Sequence, residues 1–318
     1  MGALGRGMSS EVRAPSPLES ARRLARFTAV MYKPHYLLYA IVFVLALEGT
    51  AALVSQPETP WRPSWATVPR IVVVALVLLY LRMVDEQKDL DYDRVHHPDR
   101  PLVTGEVSAG ELRAAMGVLG VGAVGASLVL AAVSGVAIAA VLAYGLFLWA
   151  VERWSTAVRT GIVLNLVVTY PIQILIAGYV LISAIGTGEV ATRWQALAVV
   201  AVFAGAFLHF EFARKTARER RPGEHLYSNR LGVMGCVVAI LGFAGLAVAV
   251  DLVLVRPWER SGASSVVAWI PAMLLLIPVY GEWRFLRSNE PEHPVLPAVA
   301  FVFALYLALI AQAVVCTT

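Results

Sequence analysis

Charge is scarce in this 318-residue chain: charged residues make up 15% and hydrophobic ones 58%, where soluble domains run at about 25% and 45–50%. The mean hydropathy is +0.70. These values exclude a disordered chain, a coiled coil and an ordinary cytosolic domain. Only two cysteines are present, Cys236 and Cys316, both in apolar runs. That excludes a disulfide framework and any cysteine-based metal spacing. Lysine occurs three times and aspartate six times. The net charge of +4 does not mark a nucleic-acid binder, because the basic residues lie between apolar segments.

What the chain has in abundance is long apolar runs. Hydropathy predicts helices over 36–54, 66–88, 109–132, 135–151, 161–185, 193–213, 231–254, 265–281 and 295–315, each of the length that crosses a hydrocarbon core of about 30 Å. The break between the third and fourth rests on Ser134 and Gly135; without it, one improbably long span results. Residues 1–33 carry Arg6, Arg13, Arg22, Arg23, Arg26 and Lys33 with no apolar core. They are too polar for a signal peptide and read as a cytoplasmic arm, ahead of a transmembrane domain over 34–318. With nine spans, the loops on the arm's side hold 21 of the 26 Lys and Arg; Arg62, Arg70, Arg193, Arg256 and Arg260 are on the other. The positive-inside rule then places the N-terminus in the cytoplasm and the C-terminus outside.

The acids are concentrated. Five of the six aspartates, Asp85, Asp89, Asp91, Asp93 and Asp99, lie in the segment 82–105. Asp85, Asp89 and Asp93 recur every four residues, which stacks them on one helical face, with Glu86 adjacent. Like charges at that spacing repel unless a cation neutralises them, and hard oxygen ligands with room for water suit Mg²⁺. An EF-hand is excluded, since no Gly follows at the turn and no Glu closes the loop. A second polar cluster over 210–232 carries Arg214, Lys215, Arg218, Arg220, Arg221 and Arg230, with Glu211, Glu219 and Glu224. A carboxylate site facing a guanidinium and ammonium site would hold a metal-bound diphosphate; the plainer reading is a topological loop touching anionic lipid. Arg159, in a third short loop, is placed to reach the same site. Asn165 and Gln173 are polar at lipid depth and are expected to face the bundle interior. Glu48 and His209 are equally readable as structural or as pocket residues.

The 82–105 segment resembles the first aspartate-rich motif of the UbiA superfamily of intramembrane prenyltransferases, Asn-Asp-x-x-Asp-x-x-x-Asp followed by an Asn-His-Pro-x-Arg-Pro-like tail. Here the motif reads Asp85-Glu86-x-x-Asp89-x-x-x-Asp93, then His97-Pro98-Asp99-Arg100-Pro101. The second family motif, Asp-x-x-x-Asp with a following Gly, is altered: alignment on Gly223 puts Lys215 and Glu219 at its acidic positions. The resemblance implies an all-α integral membrane protein of nine transmembrane helices bundled around a central cavity, with a cytoplasmic polar cap. It implies Mg²⁺ and an isoprenyl diphosphate as substrate, with a lipophilic or aromatic acceptor. Asp85, Glu86, Asp89, Asp93 and Glu219 would bind metal; Arg100, Arg159, Arg214 and Lys215 would bind diphosphate. The leading reading is transfer of the prenyl group to an acceptor. A UbiA-type terpene cyclase, in which the cation attacks its own chain, is the runner-up. A transporter is a third reading, disfavoured because the acids sit at the interface and not near the midplane.

Overall fold

The structure is a computed structural model and describes residues 16–316. Arg6 and Arg13 of the N-terminal arm lie outside the described residues. Among the described residues there is no β-strand, only an isolated bridge between Ala217 and Glu292, and nine helical spans are long and apolar enough to cross a membrane. The remainder of the arm contains helix α1 (Pro17–Met31), capped by Ser16 and started by Pro17. The first spans are α2 (Pro34–Ser55) and α3 (Thr67–Lys88), followed by the short α4 (Leu90–His96) and α5 (Pro101–Thr104). Next come α6 (Ala109–Leu130), α7 (Ala132–Trp154) and the short α8 (Thr156–Thr160). The fifth span is split into α9 (Ile162–Thr169) and α10 (Pro171–Gly186). Then follow α11 (Trp194–Arg214), α12 (Ser228–Val255), a split eighth span α13 (Gly262–Leu274) and α14 (Leu276–Arg287), and α15 (Val295–Val315).

Local chemistry sets these boundaries. Ser108 and Glu111 form a reciprocal capping box at the start of α6, with bonds of 3.1 and 2.8 Å that satisfy two orphan N–H groups. Pro171 starts α10, where its missing N–H is tolerated, and parts it from α9. The turn between α6 and α7 falls at Ala131, which is extended at φ −164° and ψ 151°, and not at Ser134 and Gly135 as the sequence suggests. Gly135 serves packing instead, because a Cβ there would collide with the Leu128 side chain. Exposed Trp65, Trp194 and Trp258 mark one end of the bundle, and exposed Trp154 and Trp283 the other, as expected of aromatic belts at the two membrane interfaces.

α2 packs against α3, α10, α11 and α15. Its residues Phe43, Ala46, Leu47 and Ala51 are buried in the main core. The 85–105 and 214–227 segments lie at one end of the bundle, here the polar end. At the far end, Arg70 and Glu48 are both 0% exposed and pair at 2.5 Å. Arg70 also pairs with Glu189 at 2.8 Å and donates to the Ser183 hydroxyl at 3.0 Å. Trp61 Nε1 and the Thr67 hydroxyl donate to Glu48 at 3.2 and 2.9 Å. Glu48 is therefore structural. Arg70→Met strands two carboxylates and is expected to lower stability by about 3–5 kcal/mol. Unfolding in detergent micelles measures this, and a loss below about 1 kcal/mol would reduce the pair to the worth of a surface bridge.

Candidate active site

α3 carries Asp85 and Glu86 in its last turn, and Asp89 joins it to α4 almost without interruption. The Asp89 N–H donates to Asp85 O, and the Asp93 N–H to Asp89 O, each at 2.8 Å. The four-residue repeat therefore stacks on one face as its spacing requires. The four carboxylates do not share one environment. Glu86 and Asp93 are each 1% exposed. Glu86 receives Arg82 at 2.5 Å and Arg100 at 3.3 Å, and the same Arg100 nitrogen pairs with Asp93. One Glu86 oxygen, Oε2, stays buried without a hydrogen bond. Asp85 is about half exposed and lies 3.3 Å from Lys88, which reaches Glu152 at 3.2 Å. Asn165 donates to Glu152 at 2.8 Å, so Asn165 does face the interior.

Asp89 is the least compensated of the group: among the described residues no donor bonds its carboxylate. Burial pushes the Asp89 carboxyl up to about 6; Lys88 opposes this, while Asp85, Glu152 and Asp93 add to it. The missing element is positive charge beside hard oxygen ligands, which a divalent cation at Asp85 and Asp89 would supply. No three or more His, Cys, Asp or Glu are already gathered around one point among the described residues. The chain thus offers one or two carboxylates, the number Mg²⁺ takes when water and phosphate oxygens fill its other positions.

The second cluster is built on the end of α11. Glu211 is its hub: Arg214 Nε donates to it at 2.5 Å, Lys215 Nζ at 2.8 Å and the Tyr227 hydroxyl at 3.3 Å. The Tyr227 ring stacks on Phe212 at 4.4 Å, with Lys215 Nζ 5.6 Å from its centroid. Gly223 turns the loop at φ +91°. Burial lowers the Lys215 pKa and Glu211 works against that shift. The two clusters meet where Tyr92 of α4 stacks on His225 at 5.1 Å. Burial and the facing Lys215 push His225 below its usual range. Arg159 on α8 is exposed and without an ion pair among the described residues. Glu219 is also exposed and makes no hydrogen bond or ion pair with the first cluster. It follows Ala217 and Arg218, which are bonded to the 285–292 region.

Glu152, Glu211, Tyr92, His225 and Tyr227 belong to no motif that marks them as site residues in the sequence. The available signal was a lone acid near the end of each of two apolar helices, at Glu152 and Glu211. No sequence spacing announces the Tyr92–His225 stack, which forms between loops far apart in the chain. Deeper in the bundle, a narrow pocket of about 10 Å³ lies between α2, α10 and α11, lined by Tyr39, Phe43, Gln173, Phe203 and Phe207. His209 is not part of it; its Nδ1 bonds the Ile240 carbonyl at 3.0 Å.

Fold and site together define an integral, multi-pass helical membrane protein whose polar end sets carboxylates against guanidinium and ammonium groups. The model of the UbiA prenyltransferase family matches residues 40–305, and the chain belongs to that family. Among solved structures, a UbiA homolog from Aeropyrum pernix K1 in its apo form is similar at TM-score 0.60 and 19% identity, covering 86% of this chain and 97% of that one. A UbiA homolog from Archaeoglobus fulgidus, solved with DMAPP and Mg2+, is similar at TM-score 0.57 and 13% identity, covering 93% and 99%. A structure described as digeranylgeranylglyceryl phosphate synthase is similar at TM-score 0.58 and 13% identity, covering 92% and 99%. No curated protein matches the sequence.

Proposed function

We propose that this protein ionises an allylic isoprenyl diphosphate at the polar end of the bundle and transfers the prenyl group to a lipophilic or aromatic acceptor. The observation that carries the reading is the apposition of the undercompensated Asp85–Asp89 pair and the Lys215–Arg214 cluster at the mouth of an apolar bundle. The polar end faces the cytoplasm and the C-terminus lies outside, in keeping with the basic-residue bias. Family membership and the neighbour solved with DMAPP and Mg2+ support the substrate class.

Asp85 and Asp89 would hold Mg²⁺, which when bound neutralises charge on the diphosphate. Glu86 and Asp93 act differently in this reading: they fix Arg100 so that its remaining donors point to the phosphate oxygens. Glu219, exposed and apart, is given no metal contact. Lys215, Arg214 and Arg159 add donors for the leaving group. When the allylic C–O bond breaks, its electron pair leaves on the diphosphate, and these cations stabilise the charge that develops there. The apolar spans take the prenyl tail and keep water from the carbocation. The acceptor then attacks the cation and loses a proton.

Lys215→Gln is the direct test. Its ammonium is the group that replaces the second motif's carboxylate, so diphosphate release at saturating Mg²⁺ is expected to fall by at least about tenfold. A rate equal to wild type would remove Lys215 from the site and leave it a marker of topology. A second reading, cyclisation without an acceptor, is favoured by one observation: the interior pocket is lined by four aromatic rings, and ring faces attract cations. Incubation with C10 to C25 prenyl diphosphates alone separates the two readings. Cyclic hydrocarbon or terpene alcohol means cyclase, whereas product that forms only with an acceptor means transferase.

A further inference from the structure

We propose that the groove at the start of α12 binds the phosphate of an anionic glycerophospholipid, at a site separate from the carboxylate–guanidinium site and independent of the catalytic reading. The open groove has a volume of about 490 Å³ and is lined by Arg218, Arg220, Asn229, Arg230 and Val233 among others. Its wall is held in place. Arg218 donates to the Phe285, Ser288 and Glu290 carbonyls and lies over the Phe285 ring. Asn229 accepts from the Arg221 N–H at 2.9 Å and donates to the Arg221 and Glu224 carbonyls at 2.8 and 2.9 Å. Arg221 is neutralised by Glu292 and Glu224. Arg220 and Arg230 remain: both are exposed, and neither side chain has a hydrogen bond or ion pair among the described residues. Two uncompensated guanidinium groups on a fixed wall match phosphate oxygens by charge and by fork geometry.

The floor of the groove is open because α12 is broken at Gly232. This residue has φ 70° and ψ 171°, and apart from its adjoining backbone nothing lies within 4 Å of the position its Cβ would take. A lipid, and not a free anion, is the occupant because of what continues the groove. Leu231, Met234 and Val238 are exposed along the next turns of α12. Met234 and Val238, four residues apart beyond the break, share one face of a helix long and apolar enough to cross the bilayer, and Leu231 is exposed at the break itself. A headgroup on Arg220 and Arg230 lays its acyl chains along that stripe.

The test is native mass spectrometry of the full-length protein in detergent, titrated with phosphatidylglycerol, phosphatidylcholine or inorganic phosphate. Wild type is expected to retain phosphatidylglycerol at least about tenfold better than phosphatidylcholine, with inorganic phosphate failing to displace it. The double variant Arg220→Gln/Arg230→Gln is expected to lose at least about fivefold of that retention. Arg26→Gln/Arg113→Gln, which removes equal charge from exposed positions at the same end, is expected to keep it. Equal loss in both double variants would reduce the groove to diffuse attraction and overturn the site. Displacement by inorganic phosphate would overturn the lipid assignment in favour of a soluble anion. Unchanged unfolding midpoints in both double variants tie the readout to binding and not to folding.

Discussion

Asp89→Ala is expected to cost at least about 100-fold in turnover, or about 2.7 kcal/mol of transition-state stabilisation, with the fold intact. Asp89 holds up no neighbour: no donor bonds its carboxylate among the described residues, and its charged form is opposed by burial and by Asp85, Glu152 and Asp93. Removing it relieves electrostatic repulsion and leaves packing alone, so the unfolding midpoint should hold or rise while activity falls. The same arrangement predicts a pH dependence. Burial pushes the Asp89 carboxyl up to about 6, and under the proposed assignment Mg²⁺ would bind the carboxylate, so below that pH a proton would compete with the metal. The Mg²⁺ concentration for half-maximal activity should rise about tenfold per unit as pH falls below 6, and raising Mg²⁺ should move the acid limb of the activity profile lower. A well-folded Asp89→Ala protein with near-normal turnover would falsify the metal assignment.

Arg100→Leu is expected to damage both folding and activity, and the two can be separated. Arg100 is the shared partner of Glu86 and Asp93, so its loss leaves two buried carboxylates facing one another, with only Arg82 beside Glu86. Breaking such a pair costs about 3–5 kcal/mol. The triple variant Arg100→Leu/Glu86→Gln/Asp93→Asn removes the uncompensated charge and should recover most of the stability. Turnover should stay at least about tenfold down if, as proposed, the guanidinium also serves the leaving group. Full activity in the refolded triple variant would make Arg100 a scaffold residue only.

The spans and the acidic face were legible for a simple reason. Membrane-length apolar runs and a four-residue repeat are local patterns, and the backbone of α3 and α4 obeys them. The split at Tyr170 was signalled by Pro171, yet the apolar run around it reads as one continuous span. The turn at Ala131 was misplaced because Gly135 marks close helix packing and not a reversal. The distribution of roles among Asp85, Glu86, Asp89 and Asp93 was not legible, since it depends on which arginine reaches which carboxylate. Arg82 is one turn away on the same helix, but Arg100 folds back after two breaks. Glu211 is the clearest case of a hidden role. In sequence it is one acid among basic neighbours, and only the return of Tyr227 makes it the point where three donors meet.

The Arg70 knot gives the bundle an uneven stiffness. It ties the far ends of α2, α3 and α10 through bonds that no lipid or water can replace cheaply, roughly 22 Å along α3 from Asp85. At the other end α9 is a short half-span bounded by Gly161 and Pro171, with no fully buried residue; it is held by the Asn165–Glu152 bond and by Tyr144, whose hydroxyl donates to the Val168 carbonyl at 2.7 Å. The two ends of the bundle therefore differ in how firmly their helices are tied. If the proposed reaction holds, a prenyl tail would enter more easily beside α9 than past the Arg70 end, where breaking the buried pairs would cost several kcal/mol.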